Sequence, residues 1–340
     1  MSTLSATPPR PAASHRHLVA VVVLVPVLAA LALWAFAWPA ARTAPRDLPL
    51  AVAGPTAATA QVERQLTRHE GAFEIHRYAD EAAAREAVED RTVYGAVVVT
   101  PQGPKLLTAS AASPAVAQLL QQAVAQQAAT QGTEVRTVDV VPAAASDPRG
   151  AALTASVLPL ALAGMAAGAA VTLLGLRGIR AASALVGAAA LIGVIATALA
   201  HSWLGVLAGD WWAEAGVFAL TTLAVSAAVA GLAALVGPAG VGIMAAVVML
   251  VGNPFSGAAS APQMLPQPVG VVGQWLPPGV GTTLLRSVSF FDGAAATGPA
   301  LTLLWWAALG LGAVLLGSAL RKAHTTHTAP APEREPSTVG

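Results

Sequence analysis

Residues 18–38 are apolar without a single charge, and the same pattern returns at 151–176, 181–200, 215–236 and 299–320. A bilayer core of about 30 Å needs about 20 apolar residues in helical form, because backbone groups inside it have no water to bond with. Each stretch meets that length and predicts a membrane-crossing helix. A further stretch, 238–251, reaches it only by including Gly237 and Gly252, and completes a count of six. Ala35-Phe36-Ala37 has the small-residue spacing of a cleavage signal. The apolar run before it exceeds the roughly 7–15 residues of a signal-peptide core, which favours an uncleaved anchor.

Between the first two spans the period changes. Residues 48–53 form a short apolar run closed by Gly54-Pro55, 56–69 are helical in composition, and 72–78 suit a strand. Asp80 is placed to cap a helix over 81–90, with acidic residues in its first turn as the dipole favours. Residues 94–100 have the β-branched richness of a buried strand, 104–109 can pair with them, Ser113-Pro114 opens another helix, and 135–141 reads as a closing strand. The order βαβαββαβ describes one small α/β core. The fold class is therefore an α-helical integral membrane protein with six transmembrane helices and an extracytoplasmic α/β domain inserted between helices 1 and 2. Its plan is a cytoplasmic tail at 1–17, a span at 18–38 and the outer domain at 39–150. A five-helix membrane domain follows at 151–320, with its fourth helix at 237–252, and a disordered cytoplasmic tail closes the chain at 321–340.

Charge sharpens this division. Of 340 residues 55% are hydrophobic and 10% charged, against roughly 25% charged in soluble domains. Most of the charge falls in 43–150, whereas 151–320 hold only Arg177, Arg180, Asp210, Glu214, Arg286 and Asp292. Basic residues stay on the cytoplasmic side. Arg10 and Arg16, Arg177 and Arg180, and Arg321 and Lys322 then share one face, which places both termini in the cytoplasm of a multi-pass plasma-membrane protein. Arg42 and Arg46 run against this, but they begin a long translocated domain, where the bias counts for less. The 8 tryptophans fall at or near the outer helix ends, as interfacial indoles do.

Several chemistries are excluded. A net charge of +1 without a basic run gives no nucleic-acid footprint, and with 0 cysteines there are no disulfides or thiol nucleophiles. Glu81 with Arg85 and Glu86 with Asp90 follow helical surface spacing, which describes a solvated face. His69 and His76 lack the partners of a zinc site or a triad, and the pairs His15/His17 and His324/His327 lie in Pro-, Thr- and Ala-rich tails. The only lysines are Lys105 and Lys322, and no Gly-x4-Gly-Lys-Ser/Thr loop is present. The expectation is a non-enzyme without cofactor or metal. Because no Asp, Glu, Lys or Arg falls inside the six predicted spans, energy would come from a partner if the chain transports. Asp210 and Glu214 come nearest, at the start of the fourth span with His201 close by. Their alternatives are a proton or cation role and simple favour from the helix dipole.

Two apolar features remain. Gly164-Met-Ala-Ala-Gly168 permits close helix approach, across a dimer or within one bundle. Residues 253–298 are too rich in Pro and Gly for one spanning helix and too apolar for a solvated loop, so they predict a re-entrant or outer-interface hairpin. Arg286 would then sit near the outer headgroups, snorkelling or paired with Asp292 or a lipid phosphate.

The chain resembles bacterial permeases of the type-2 ABC exporter superfamily, in particular the phage infection protein (YhgE/Pip)-like branch. The resembling residues are Leu48-Pro-Leu-Ala-Val-Ala53, Glu81 to Val88 followed by Tyr94-Gly-Ala-Val-Val-Val-Thr-Pro101, and the motifs Asn253-Pro254-Phe255-Ser256-Gly257 and Leu276-Pro277-Pro278-Gly279. The order of one span, an outer domain and five spans carries it further. The resemblance implies a homodimeric or paired permease in the lipid bilayer, served by a separate cytoplasmic ATPase and moving hydrophobic or amphipathic substrates outward. Asp210, Glu214, Asn253, Pro254, Pro277, Pro278 and Arg286 form the candidate substrate or gating region. Arg177 and Arg180 form the candidate ATPase-docking turn. The rival reading is a non-transporting envelope receptor or scaffold acting through its outer domain.

Overall fold

The computed structural model describes residues 15–132 and 134–327. The expected tails therefore fall largely outside the described residues, as do the side chains of both tail histidine pairs. Helix α1 starts at His15 and α11 runs to His327. Both enter the segments assigned to tails, because a helix continues its backbone ladder beyond the apolar stretch that begins it.

After α1 (His15–Ala41) the chain forms β1 (Leu48–Ala53), α2 (Thr56–Thr67), β2 (Phe73–Tyr78), α3 (Glu81–Glu89), β3 (Gly95–Thr100), β4 (Gly103–Thr108), α4 (Pro114–Gln131) and β5 (Arg136–Asp139). The strands make one sheet in the order β2-β1-β3-β4-β5, antiparallel only between β3 and β4. Local chemistry sets these boundaries. Asp80 accepts from Ala83 N at 2.9 Å to start α3, and Ser113 accepts from Val116 N at 3.2 Å to start α4 with Pro114 in its first turn. Each side chain satisfies an N–H that the helix leaves unpaired.

Alternation along β1 sends Leu48 and Leu50 to one face of the sheet and Ala51 and Ala53 to the other. On the first face Val116 and Leu120 of α4 cover them; on the second, Ala84, Ala87 and Val88 of α3 do so. Both cores are completed from far along the chain, the first by Ala261 and Met264 and the second by Phe291.

The remaining helices are α5 (Ala151–Leu173), α6 (Gly178–Thr197), α7 (Trp211–Val236), α8 (Ala239–Val247), α9 (Val269–Gly273), α10 (Pro277–Phe290) and α11. Among the described residues five helices are long and apolar enough to cross a membrane: α1, α5, α6 with its following turn, α7 and α11. The sixth span expected at 237–252 is shorter. Helix α8 and the π-helical turn Val248–Gly252 together cover Ala239–Gly252, about 21 Å at 1.5 Å per residue, short of the roughly 30 Å core. The chain then turns at Asn253 and folds into α9 and α10.

Helix α7 is the axis of the bundle. Methyl groups built on Gly164 and Gly168 of α5 would meet Val225 Cβ at 2.9 Å and Ser226 O at 2.6 Å. On Gly193 of α6 one would meet Ala215 O at 2.4 Å, and on Gly317 of α11 Ala234 O at 2.6 Å. Thus the Gly164/Gly168 spacing serves contact between α5 and α7 inside one chain. Gly281 of α10 likewise abuts Thr221, while Gly209 abuts Val288 and Ser289. Helix α10 therefore lies antiparallel along the first half of α7.

Gly168→Val is expected to lower unfolding free energy by about 1–3 kcal/mol through overpacking. Gly187→Ala, where no atom lies within 4 Å, is expected to leave it unchanged or raise it by up to about 1 kcal/mol. Thermal unfolding of the two variants in detergent checks both.

Candidate functional site

The predicted site residues separate into three groups. Asp210 is exposed and caps α7, accepting from Ala213 N at 2.8 Å. This cap starts the helix at Trp211, four residues before the span read from hydropathy, and carries Glu214 inside it. Glu214 is fully buried at 0% exposure. Its Oε1 accepts from Gly209 N at 2.9 Å, and its Oε2 lies 2.8 Å from His201 Nδ1 in the π-helical turn Ala198–Trp203 that follows α6. The spans are therefore not free of ionisable carboxylates, as their hydropathy suggested. The π turn spans one more residue per hydrogen bond than an α-helix, and in it His201 stands beside the first turn of α7.

A second group organises the hairpin. Asn253 O accepts from Ser256 Oγ at 2.7 Å, which closes the turn that half-buried Pro254 enters. Pro277 and Pro278 are buried in the first turn of α10, where the missing N–H costs nothing, and Pro278 faces Gly252. Gln274 ties the two limbs, donating to Ser256 O at 3.0 Å and accepting from Thr283 Oγ1 at 2.8 Å.

Arg286 belongs to a third group, at the seam between hairpin and sheet domain. It is 5% exposed and donates through Nη2 to Ala258 O at 2.7 Å. The expected pairing with Asp292 does not form, because Asp292 lies exposed in the turn after α10; nor does the guanidinium snorkel. Among the described residues Arg286 makes no ion pair. Burial pulls its pKa down to about 10, which still leaves it charged at neutral pH. Arg91, which no sequence pattern singled out, donates to Thr283 O at 2.9 Å and to Ser287 Oγ, and its guanidinium stands 5.1 Å from the Phe291 ring centroid. Burial lowers its pKa too, and raises that of Tyr94, whose hydroxyl donates to Gln263 Oε1 at 2.9 Å. No local pattern flags Arg91 or Tyr94, since their partners lie far along the chain.

An apolar cleft of about 410 Å³ opens between α5 and α6. Pro159 and Ala163 line one wall, Ile192 and Ala196 the other, and Phe218 and Leu285 the floor. Leu153 and Val206, at its sheet-domain end, also line a smaller cavity that includes Ser110, Asp147 and Arg286. At the opposite end of the bundle, Arg177 and Arg180 are exposed on the α5–α6 turn beside Leu173, Leu174 and Ile179. Arg321 lies at the same end and donates to Ala234 O at 3.0 Å.

Residues 16–175 match the family model for an ABC-2 family transporter protein. The matched stretch is just under half of the chain and takes in α1, the whole sheet domain and α5. Together with the five long apolar helices it supports an ABC-2-type permease held in a membrane as a multi-pass protein. No curated protein and no solved structure matches the chain.

His201→Ala removes a partner of the buried Glu214 carboxylate and is expected to lower stability by about 1–3 kcal/mol. Glu214→Gln can accept from Gly209 N and donate to His201, so a change within about 1 kcal/mol is expected. Melting curves of the two variants read the difference.

Proposed function

We propose that this chain is the non-catalytic permease subunit of an ABC-type exporter that moves hydrophobic or amphipathic molecules outward. The observation that carries the reading is the ABC-2 transporter match across α1, the sheet domain and α5. In this reading both termini and the α5–α6 turn face the cytoplasm and the sheet domain lies outside. The segregation of Arg177, Arg180 and Arg321 at the end of the bundle away from the sheet supports that orientation. So do Trp203, Trp212 and Trp275, which are exposed near the sheet-domain end. The order of one helix, a sheet domain and a helical bundle supports the phage infection protein-like branch, acting as a homodimer or paired permease.

Energy comes from a separate cytoplasmic ATPase docking on the α5–α6 turn. Exposed Leu173, Leu174 and Ile179 around two arginines give that turn an apolar centre with a charged rim, the anatomy of a protein interface. Purification of the full chain from its own cells in mild detergent is expected to bring down a stoichiometric ATPase. Arg177→Glu with Arg180→Glu is expected to cut that recovery about tenfold or more without shifting the melting temperature. Absence of any ATPase partner, with efflux unchanged on deletion, would favour the receptor or scaffold role instead.

A further inference from the structure

The cleft between α5 and α6 is apolar along its length, with Ser156 the one polar side chain among those lining it. Ile195, Leu199 and Leu204 line it and remain exposed, so its mouth opens on the side of the bundle that lipid would cover. From Ala152 to Ala163 it follows α5 for about 17 Å at 1.5 Å per residue, a length suited to an acyl chain. Its volume lies within the roughly 300–1,000 Å³ of small-molecule sites.

At the sheet-domain end the chemistry reverses. Beyond Leu153 and Val206, which line both compartments, stands Arg286, one residue along α10 from Leu285 in the cleft floor. A guanidinium carries five N–H donors in a planar fork, and here, among the described residues, a single carbonyl, that of Ala258, accepts from it. Asp147 shares the small cavity, but its carboxylate is committed to Ala151, Ala152 and Leu153 N at the start of α5, at 2.8, 2.9 and 3.2 Å. Arg91 is engaged by Thr283, Ser287 and Phe291. Among the described residues Arg286 is therefore a buried cation with donors to spare, in a small cavity that shares Leu153 and Val206 with the apolar cleft.

We propose that the cleft and Arg286 together form a binding site for an anionic membrane lipid, with an acyl chain lying between α5 and α6 and the headgroup phosphate on the guanidinium. The proposal rests on the permease reading only for the bilayer around the cleft; it requires no ATPase, so a failed ATPase pull-down leaves it standing.

The test uses the full chain in mild detergent, with phosphatidylglycerol and phosphatidylcholine titrated separately and binding read by native mass spectrometry and melting temperature. Phosphatidylglycerol is expected to bind about tenfold more tightly than phosphatidylcholine. Arg286→Gln is expected to erase that preference, and Ala196→Trp, which fills the cleft, to weaken both lipids about tenfold. If Arg286→Gln does not fold, Arg286→Lys keeps the charge but not the fork and is expected to weaken phosphatidylglycerol selectively. Equal affinity of the wild-type chain for the two lipids would overturn the proposal. So would a phosphatidylglycerol preference untouched by either Arg286 variant. Inorganic phosphate serves as a third probe: phosphate binding as tightly as phosphatidylglycerol, with lipid affinity unaffected by Ala196→Trp, would make this a free-anion site and refute the lipid assignment.

Discussion

Backbone-to-backbone contact around α7 is the constraint on which the membrane part depends. Lipid offers apolar side chains no gain from leaving water, so helices there associate through close packing. This bundle achieves it with glycines on the surrounding helices: Gly164 and Gly168 of α5, Gly193 of α6, and Gly310 and Gly317 of α11 all face α7 where a methyl group would collide. Helices α5 and α6 lean on the same axis, and toward the sheet-domain end the space between them stays open. The cleft is thus a by-product of how the two helices share one neighbour.

The buried polar groups follow a different logic. A buried polar or ionisable group costs free energy unless its bonding capacity is met. Glu214 meets that cost with a histidine and a backbone N–H, and its position in the first turn of α7 adds the favourable end of the helix dipole. Arg91 does so with a carbonyl, a hydroxyl and an aromatic face. Arg286 is left with fewer partners, and that imbalance marks it among the buried charges.

Much of the architecture was legible because it is local. Helix lengths follow from uninterrupted apolar runs, and the starts of α3 and α4 follow from Asp80 and from Ser113-Pro114. Hydropathy failed where polar residues are buried. The start of α7 lies earlier than hydropathy places it because Asp210 and Glu214 interrupt the apolar run, although the first caps the helix and the second packs inside it. The Gly164/Gly168 spacing allowed two outcomes, and only the packing against Val225 and Ser226 separates them. Arg91, Tyr94 and the true partner of Arg286 depend on contacts across the chain, which no window of residues can show.

The sheet domain is closed on its two faces by Met264 and Phe291, residues translated long after its own strands and after three further long helices. Native contacts of such high sequence separation form late and slowly. The strands therefore emerge as a partly uncovered sheet that waits for the hairpin to arrive. During biogenesis this protein carries an unfinished domain through most of its membrane insertion, and slow insertion of α8 to α10 would expose that domain to aggregation before it reaches its final form.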